Sequence, residues 1–304
     1  MMKVLKTKRT VIKETKFDQS INVSIFIFLS ILGILTISVF LNVVFISLSP
    51  TTELIKNAGA YMRFPSRPTL SNYIYVLGNN SPVIKAMIVT ITRTVLGVAL
   101  SLFVTVLIAY PLSKKNLPGG KAIMMIFFFT MLFNGGMIPT YLAVRSYHLL
   151  DTLWALILPG ALSVYNMIIM RSFFKSLPLE MEESAKIDGC TDMKVLFKII
   201  LPLSGPCLAA IGLFYAVGHW NSFFDAVMYI NNRNLWPLQL ILREILLTSS
   251  LSSVETNVSS NVLAPTSMAI MCTTIVISSL PIIIVYPFIQ KHFVTGIMLG
   301  AVKG

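Results

Sequence analysis

Charge is scarce in this sequence: only 12% of its 304 residues are Asp, Glu, Lys or Arg, against about 25% in an ordinary soluble domain. With 55% hydrophobic residues and a mean hydropathy of +0.79, that shortage excludes a soluble globular chain. Cysteine is nearly absent too. Cys190, Cys207 and Cys272 are an odd set without paired spacing, which argues against a disulfide framework and a zinc site and leaves them as small packing residues. His148 and His292 fall near the ends of apolar runs without ligand-spaced partners, so no metal site is expected. There is also no phosphate-binding loop. The nearest fragment is Gly119-Gly120-Lys121, but Lys115 stands where the first glycine is needed and Ala122 where Ser or Thr is needed. Internal repeats and low-complexity tracts are missing.

What the chain does have is apolar runs of membrane-spanning length, about 20 residues each. The first is an uncharged stretch from Ile21 to Pro50 behind a basic tail. It is too long for a signal-peptide core and lacks a small-x-small cleavage site, so it reads as a retained helix. Others follow at Ala86–Tyr110, Ala122–Val144, Leu153–Met170, Gly205–Tyr229 and Met268–Ile289. The expected fold is an all-α membrane protein with six transmembrane helices: a tail over residues 1–21 and one six-helix domain over 22–304.

Orientation follows from the basic residues. A net charge of +12 would point a soluble protein towards nucleic acid; in a membrane protein it reflects basic cytoplasmic loops, and no nucleic-acid partner is expected. With the N-terminus inside, 16 Lys and Arg fall in cytoplasmic segments and 7 in outer ones, so N-in/C-in is expected. On the outer side, the loop 231–265 contains WPLQLILREILL, whose apolar spacing predicts a short amphipathic helix at the outer mouth. Its Ser/Asn-rich stretch Thr248–Asn261 predicts a mobile loop.

The cytoplasmic connection 177–204 is the most structured. Pro178 suits a first helical turn, Glu180, Glu182 and Glu183 place negative charge at a helix N-terminus, and Gly189 suits a left-handed residue after the helix end. A short helix is therefore predicted over Leu179–Asp188. A second should run from Asp192 to Ile200 and stop at Pro202. Its spacing reads Glu183-Ser184-Ala185, three residues, Gly189, nine residues, Ile199, one residue, Leu201-Pro202. This resembles the EAA loop of permease subunits of bacterial ABC importers, E-A-A, three residues, G, nine residues, I-x-L-P, with Ser184 the one departure. The stretches SNYIYVL, AYPLSKK, NGGMIPTYL, LDTLWALILPGALSVYN, LFYAVGHWNSFFDA and FVTGIMLGAVKG look like the carbohydrate-uptake branch. Within it they resemble the polysaccharide, aldouronate and lipo-oligosaccharide type.

The resemblance implies a type I ABC importer permease fold and a multi-pass plasma-membrane protein importing a complex oligosaccharide. It implies four kinds of partner: a second similar permease forming a heterodimer, two cytoplasmic ATPases, an extracellular lipoprotein that binds the sugar, and membrane lipid. The chain itself would carry no cofactor and no catalytic residue, ATP and Mg belonging to the ATPase. The resemblance places Glu182, Glu183, Ser184, Ala185, Asp188, Gly189, Leu201 and Pro202 at the ATPase contact. Glu183 would pair with a basic residue there, and Ala185 and Gly189 would permit close approach.

Sugars bind to aromatic faces and hydrogen-bonding side chains in wet cavities, and polar groups inside spans are costly enough to flag a cavity or a helix contact. The fifth span offers His219, Trp220, Asn221, Phe224 and Asp225. On a continuous helix Trp220 and Phe224 share a face, with Asn221 and Asp225 on the next. Arg93, the one basic residue well within a span, has three roles open to it: snorkelling to the outer surface, pairing with Asp225, or facing substrate. Asn134-Gly135-Gly136 and Pro139 predict a bend in the third span, making Asn134 and Tyr141 cavity candidates. Tyr165 and Asn166 are the corresponding candidates in the fourth. Met124, Met125 and Phe127 to Phe129 read as lipid-facing or packing residues.

Two other functions compete. A membrane-embedded enzyme would use His219 and Asp225 as an acid/base pair, but their six-residue spacing does not stack on a helix face and no nucleophile accompanies them. A permease of the same fold for amino acids or peptides is the second.

Overall fold

The computed structural model describes residues 16–56, 64–78, 81–252 and 266–301. Tail residues 1–15 and loop residues 253–265 lie outside it. Among the described residues all regular structure is helical. Helix α1 runs Lys16–Leu48, α2 Thr51–Lys56, α3 Ser71–Val76 and α4 Pro82–Ser113. Then come α5 (Gly120–Leu132), α6 (Met137–Ser146), a 3₁₀ turn (Leu153–Leu156) and α7 (Val164–Ser176). The cytoplasmic connection holds α8 (Glu180–Ile187), α9 (Asp192–Val195), a π turn (Leu196–Ile200) and α10 (Leu201–Leu203). Helices α11 (Gly205–Asn221), α12 (Phe224–Tyr229), α13 (Leu238–Ser252) and α14 (Ser267–Ala301) complete the chain.

Among the described residues, three stretches are long and apolar enough to cross a membrane: Phe17–Leu48, Pro82–Ser113 and Ser267–Pro287. Two bent pairs raise the number to five if each is one span: α5 with α6, turning by 113°, and Asp192–Leu203 with α11, turning by 83°. The first bend falls at Asn134–Gly136, as the sequence predicts. Gly136 has φ +88°, and the Asn134 side chain accepts from its N–H at 3.0 Å. Pro139 sits in the first turn of α6, where a missing N–H costs little.

The other runs depart from expectation. Leu153–Met170 is not one helix: a 3₁₀ turn ends before Pro159-Gly160, and α7 starts afresh after Ser163, whose hydroxyl caps the N–H of Asn166 at 3.4 Å. Proline disfavours the helical region for the residue before it, which is why an apolar run breaks here. Gly205–Tyr229 is likewise divided, at Ser222-Phe223, into α11 and α12. Nor does the second connection helix stop at Pro202. Proline's missing N–H is absorbed by a π turn, closed by Leu201 N–H donating to Leu196 O, and the chain turns at Ser204 instead. The amphipathic helix in the outer loop extends through Ser252, so Thr248–Ser252 is helical rather than loop.

Helix α4 is the hub, packing most extensively on α11 and α7. From Ala86 to Thr105 its buried stripe is small or polar (Ala86, Thr90, Arg93, Gly97, Ser101, Thr105), turning apolar only at its ends with Val83, Val106, Tyr110 and Leu112, whereas Ile88, Ile91, Val95 and Phe103 face outward. Lipid is as apolar as leucine, so membrane helices associate through close approach of small residues rather than apolar burial. The end of α1 is tied down from α3, where buried Asn72 donates Nδ2 to the carbonyls of Ser47 (2.9 Å) and Ser49 (3.0 Å). Those carbonyls have no partner within their own helix turn.

Candidate functional site

The connection helix α8 is held from both sides. Its C-terminus closes with Gly189 at φ +77°, Gly189 N–H donating to Lys186 O (3.0 Å) and Cys190 N–H to Ala185 O (2.9 Å). This is the paired bond pattern of a left-handed helix stop that glycine accommodates without strain. Lys186 Nζ meets Asp192 Oδ1 at 2.9 Å across the turn to α9. That hydrogen bond holds the Lys186 ammonium above and the Asp192 carboxyl below their ordinary values. On the inner side Glu182 pairs with Lys114 at the end of α4, and Ala185 is buried in a cluster with Val195, Leu196, Met170 and Phe174.

The expected ATPase-facing residues therefore divide. Glu182 and Ala185 fasten α8 to the spans, Glu183, Ser184, Asp188 and Gly189 are exposed, and Pro202 is exposed in α10 beside half-buried Leu201. The outward ridge is Glu180, Glu183, Ser184 and Ile187, linked by three- and four-residue steps (Glu180 to Glu183 and Ser184, and these two to Ile187). Ile187, 87% exposed, is an apolar knob that a motif match does not mark. Helical spacing from Glu183 is the signal that would have found it. Lys114 was also missed, its partner being 68 residues away.

The second site is a cavity of about 700 Å³ between α4, α7, α11 and α12, bordered by Arg93, Tyr165, Asn166, Tyr215, His219 and Asp225. Arg93 is 2% exposed. Its guanidinium takes both carboxylate oxygens of Asp225 and donates to the carbonyls of Ser222 (3.2 Å) and Leu156 (3.1 Å). Asp225 also accepts from Ser222 Oγ (2.8 Å) and Ala226 N–H (2.9 Å). The break between α11 and α12 frees backbone polar groups that hydrocarbon cannot satisfy, and Arg93 and Asp225 supply the partners. Of the three roles open to Arg93, the structure displays helix pairing.

Arg93, Tyr165, Asn166, His219 and Asp225 thus share the cavity. The other sequence candidates lie elsewhere. Trp220 is buried in a separate cluster with Leu238 and Ile277 and donates to Ser278 O at 3.2 Å. Asn221 and Phe224 are exposed. The helix break at Ser222-Phe223 sets Phe224 on a different helix from Trp220, so the two share no face. Asn134 caps the α5–α6 bend, and Tyr141 stacks on Tyr229 with ring centroids 6.3 Å apart. Tyr215 and Tyr229 were not foreseen as cavity residues. Tyr215 lies four before His219, a spacing that puts both on one face; its hydroxyl bonds Thr105 Oγ1 (2.8 Å) and accepts from Ser163 N–H (3.0 Å).

No family model matches the sequence. Individual relatives do. The chain is 45% identical over 290 residues to protein LplC of Bacillus subtilis (strain 168), covering 95% of this chain and 97% of that protein. It is 41% identical over 277 residues to the polygalacturonan/rhamnogalacturonan transport system permease protein YtcP of the same strain, covering 91% and 96%. Among solved structures it resembles a chain of a bacterial ABC transporter involved in the import of the acidic polysaccharide alginate, with TM-score 0.81, 30% identity, and 92% and 99% coverage. The chain belongs to the permease subunits of carbohydrate ABC transporters. It is a multi-pass membrane protein and a transport component rather than an enzyme.

Proposed function

We propose that this chain is one of two similar permeases in an ATP-driven, binding-protein-dependent importer of a complex oligosaccharide, and that it forms half of the translocation path. Six spans with both termini inside, two ATPases below and a lipoprotein receptor above complete the reading; the excess of Lys and Arg in the inner segments supports that orientation. The observation that carries it is α8, a rigid helix fastened inwardly by Glu182 and Ala185 while Glu183, Ser184 and Ile187 face out. A surface so built suits a groove on an ATPase. Closure of the ATPase pair would push α8, and through Lys114 and α4 the push would reach the cavity, exchanging inward and outward access.

The cargo reading draws on the relatives, whose names speak of polygalacturonan, rhamnogalacturonan and arabinooligosaccharides. The cavity suits sugar hydroxyls through Tyr165, Asn166 and His219. Amino acids and peptides find no such support. The test is to tag the chain, extract it in mild detergent from its native membrane and identify what accompanies it. A second permease, an ATPase and a lipid-anchored binding protein are expected. Recovery of the chain alone, under conditions preserving other transporters, would overturn the reading.

A further inference from the structure

A second cavity, of about 720 Å³, opens where the end of α4, the connection to α5 and the last turns of α7 meet. Five cations border it: Lys114, Lys115, Lys121, Arg171 and Lys175. Among the described residues no carboxylate is in its lining. Lys114 is answered by Glu182 outside the cavity, whereas among the described residues Lys115, Lys121, Arg171 and Lys175 have no acidic partner within salt-bridge distance. Arg171 is fixed in place by its Nε donating to Leu112 O at 2.7 Å. Four unanswered positive charges around one cavity repel one another, and an anion entering it relieves that repulsion.

The rest of the lining says which anion. Leu117, Met124, Met125 and Phe128 form its apolar part, and the apolar surface continues up α5 through Ile126, Phe129 and Leu132, all exposed. Met125 is 71% exposed. The thirteen residues of α5 rise about 20 Å, a little more than the ~15 Å that one leaflet contributes to the hydrocarbon core. The cavity stands at one end of that rise and the bend at Asn134–Gly136 at the other. A free phosphate would use the cations and leave the apolar wall wet, and the base of a nucleotide would cover only the end of that wall nearest the cations, Met125 and Phe128. A phospholipid uses both.

We propose that this cavity binds the headgroup of an anionic glycerophospholipid, its phosphate held by Lys115, Lys121, Arg171 and Lys175 and an acyl chain lying along α5. The inner leaflet follows from the orientation proposed above; the site itself does not depend on what the transporter carries. Because Lys114 borders the cavity and also holds Glu182, lipid occupancy is coupled to the seating of α8.

The test uses the assembled importer carrying Lys115→Gln, Lys121→Gln and Lys175→Gln together, titrated with phosphatidylglycerol and with phosphatidylcholine and followed by native mass spectrometry. Wild type should retain phosphatidylglycerol in preference to phosphatidylcholine, and the triple variant should bind it about tenfold more weakly or worse, with subunit composition unchanged. Equal retention of phosphatidylglycerol by the variant would overturn the proposal. So would equally tight binding of soluble glycerol phosphate by wild type, marking a site for free anions. Loss of a partner subunit from the variant with lipid retention unchanged would overturn it in favour of a protein contact.

Discussion

The imidazole of His219 lies against Gly97 so closely that a Cβ added to the glycine would come within 2.5 Å of Nε2 and 2.7 Å of Cδ2. Position 97 must therefore lack a side chain for α4 and α11 to meet at their present separation. Gly97→Ala should lower the stability of the purified complex by about 1–3 kcal/mol, read as a fall in melting temperature. The double variant Gly97→Ala with His219→Ala should recover part of that loss. Equal melting temperatures for wild type and Gly97→Ala would show that the ring yields freely.

Arg93 and Asp225 should behave as a unit. Removing either leaves a buried charge unanswered, at a cost of about 3–5 kcal/mol. Asp225→Leu and Arg93→Met should each reduce the yield of folded complex sharply, while the double change Arg93→Met with Asp225→Leu should lose less than the two single changes combined. A double variant as unstable as that sum would mean the residues act independently.

The two neighbouring glutamates of α8 should give different phenotypes. Glu183→Lys alters the exposed ridge alone and should leave the permease folded while separating ATP hydrolysis from uptake. Glu182→Lys opposes two cations within the chain and should loosen α8 itself. Adding Lys114→Glu to Glu182→Lys should restore transport, whereas adding it to Glu183→Lys should not. Transport and ATPase activity in proteoliposomes measure both, and unimpaired sugar uptake by Glu183→Lys would refute the assignment of that ridge.

Asp151 joins the loop after α6 to the one after α12. Its carboxylate accepts the backbone N–H of Asn232 (2.8 Å) and that of Asn231, and those two bonds hold its pKa below the ordinary value. A depressed carboxylate stabilises the fold above its unfolded pKa of about 3.9 and loses that contribution as pH falls through the folded value. Protease protection of this loop pair should be flat from neutral pH down to about 5 and fall under stronger acid. Asp151→Asn should remove the acid dependence. An unchanged acid profile in that variant would assign the effect to another group.

Sequence reading reached the parts governed by local chemistry. Glu180, Glu182 and Glu183 before Ala185, and Gly189 after it, write both ends of α8 into one short stretch, and Asn134-Gly135-Gly136 writes the bend between α5 and α6. The breaks at Pro159-Gly160 and Ser222-Phe223 were hidden inside apolar runs, since hydropathy measures solubility in lipid and not continuity of a helix. The second break is sustained by Arg93, 129 residues away from Ser222, and no window along the chain spans that distance. The same break separated Trp220 from Phe224, so a spacing argument valid for one helix failed across two. Ile187, one turn beyond Glu183, was within reach of helical spacing, but its exposure follows from the packing of Glu182 and Ala185 on the other face, which no motif records.

The pairing of Arg93 with Asp225 also sets an order of events during synthesis. The carboxylate lies 132 residues downstream of the guanidinium, so a ribosome adding about 5–20 residues per second makes it roughly 7–26 s later. For that interval α4 holds a cation with no counter-ion of its own, a state that hydrocarbon penalises. Nascent α4, long and apolar enough to insert by itself, carries that cost until α12 emerges, and the pairing that seats the two helices is completed late.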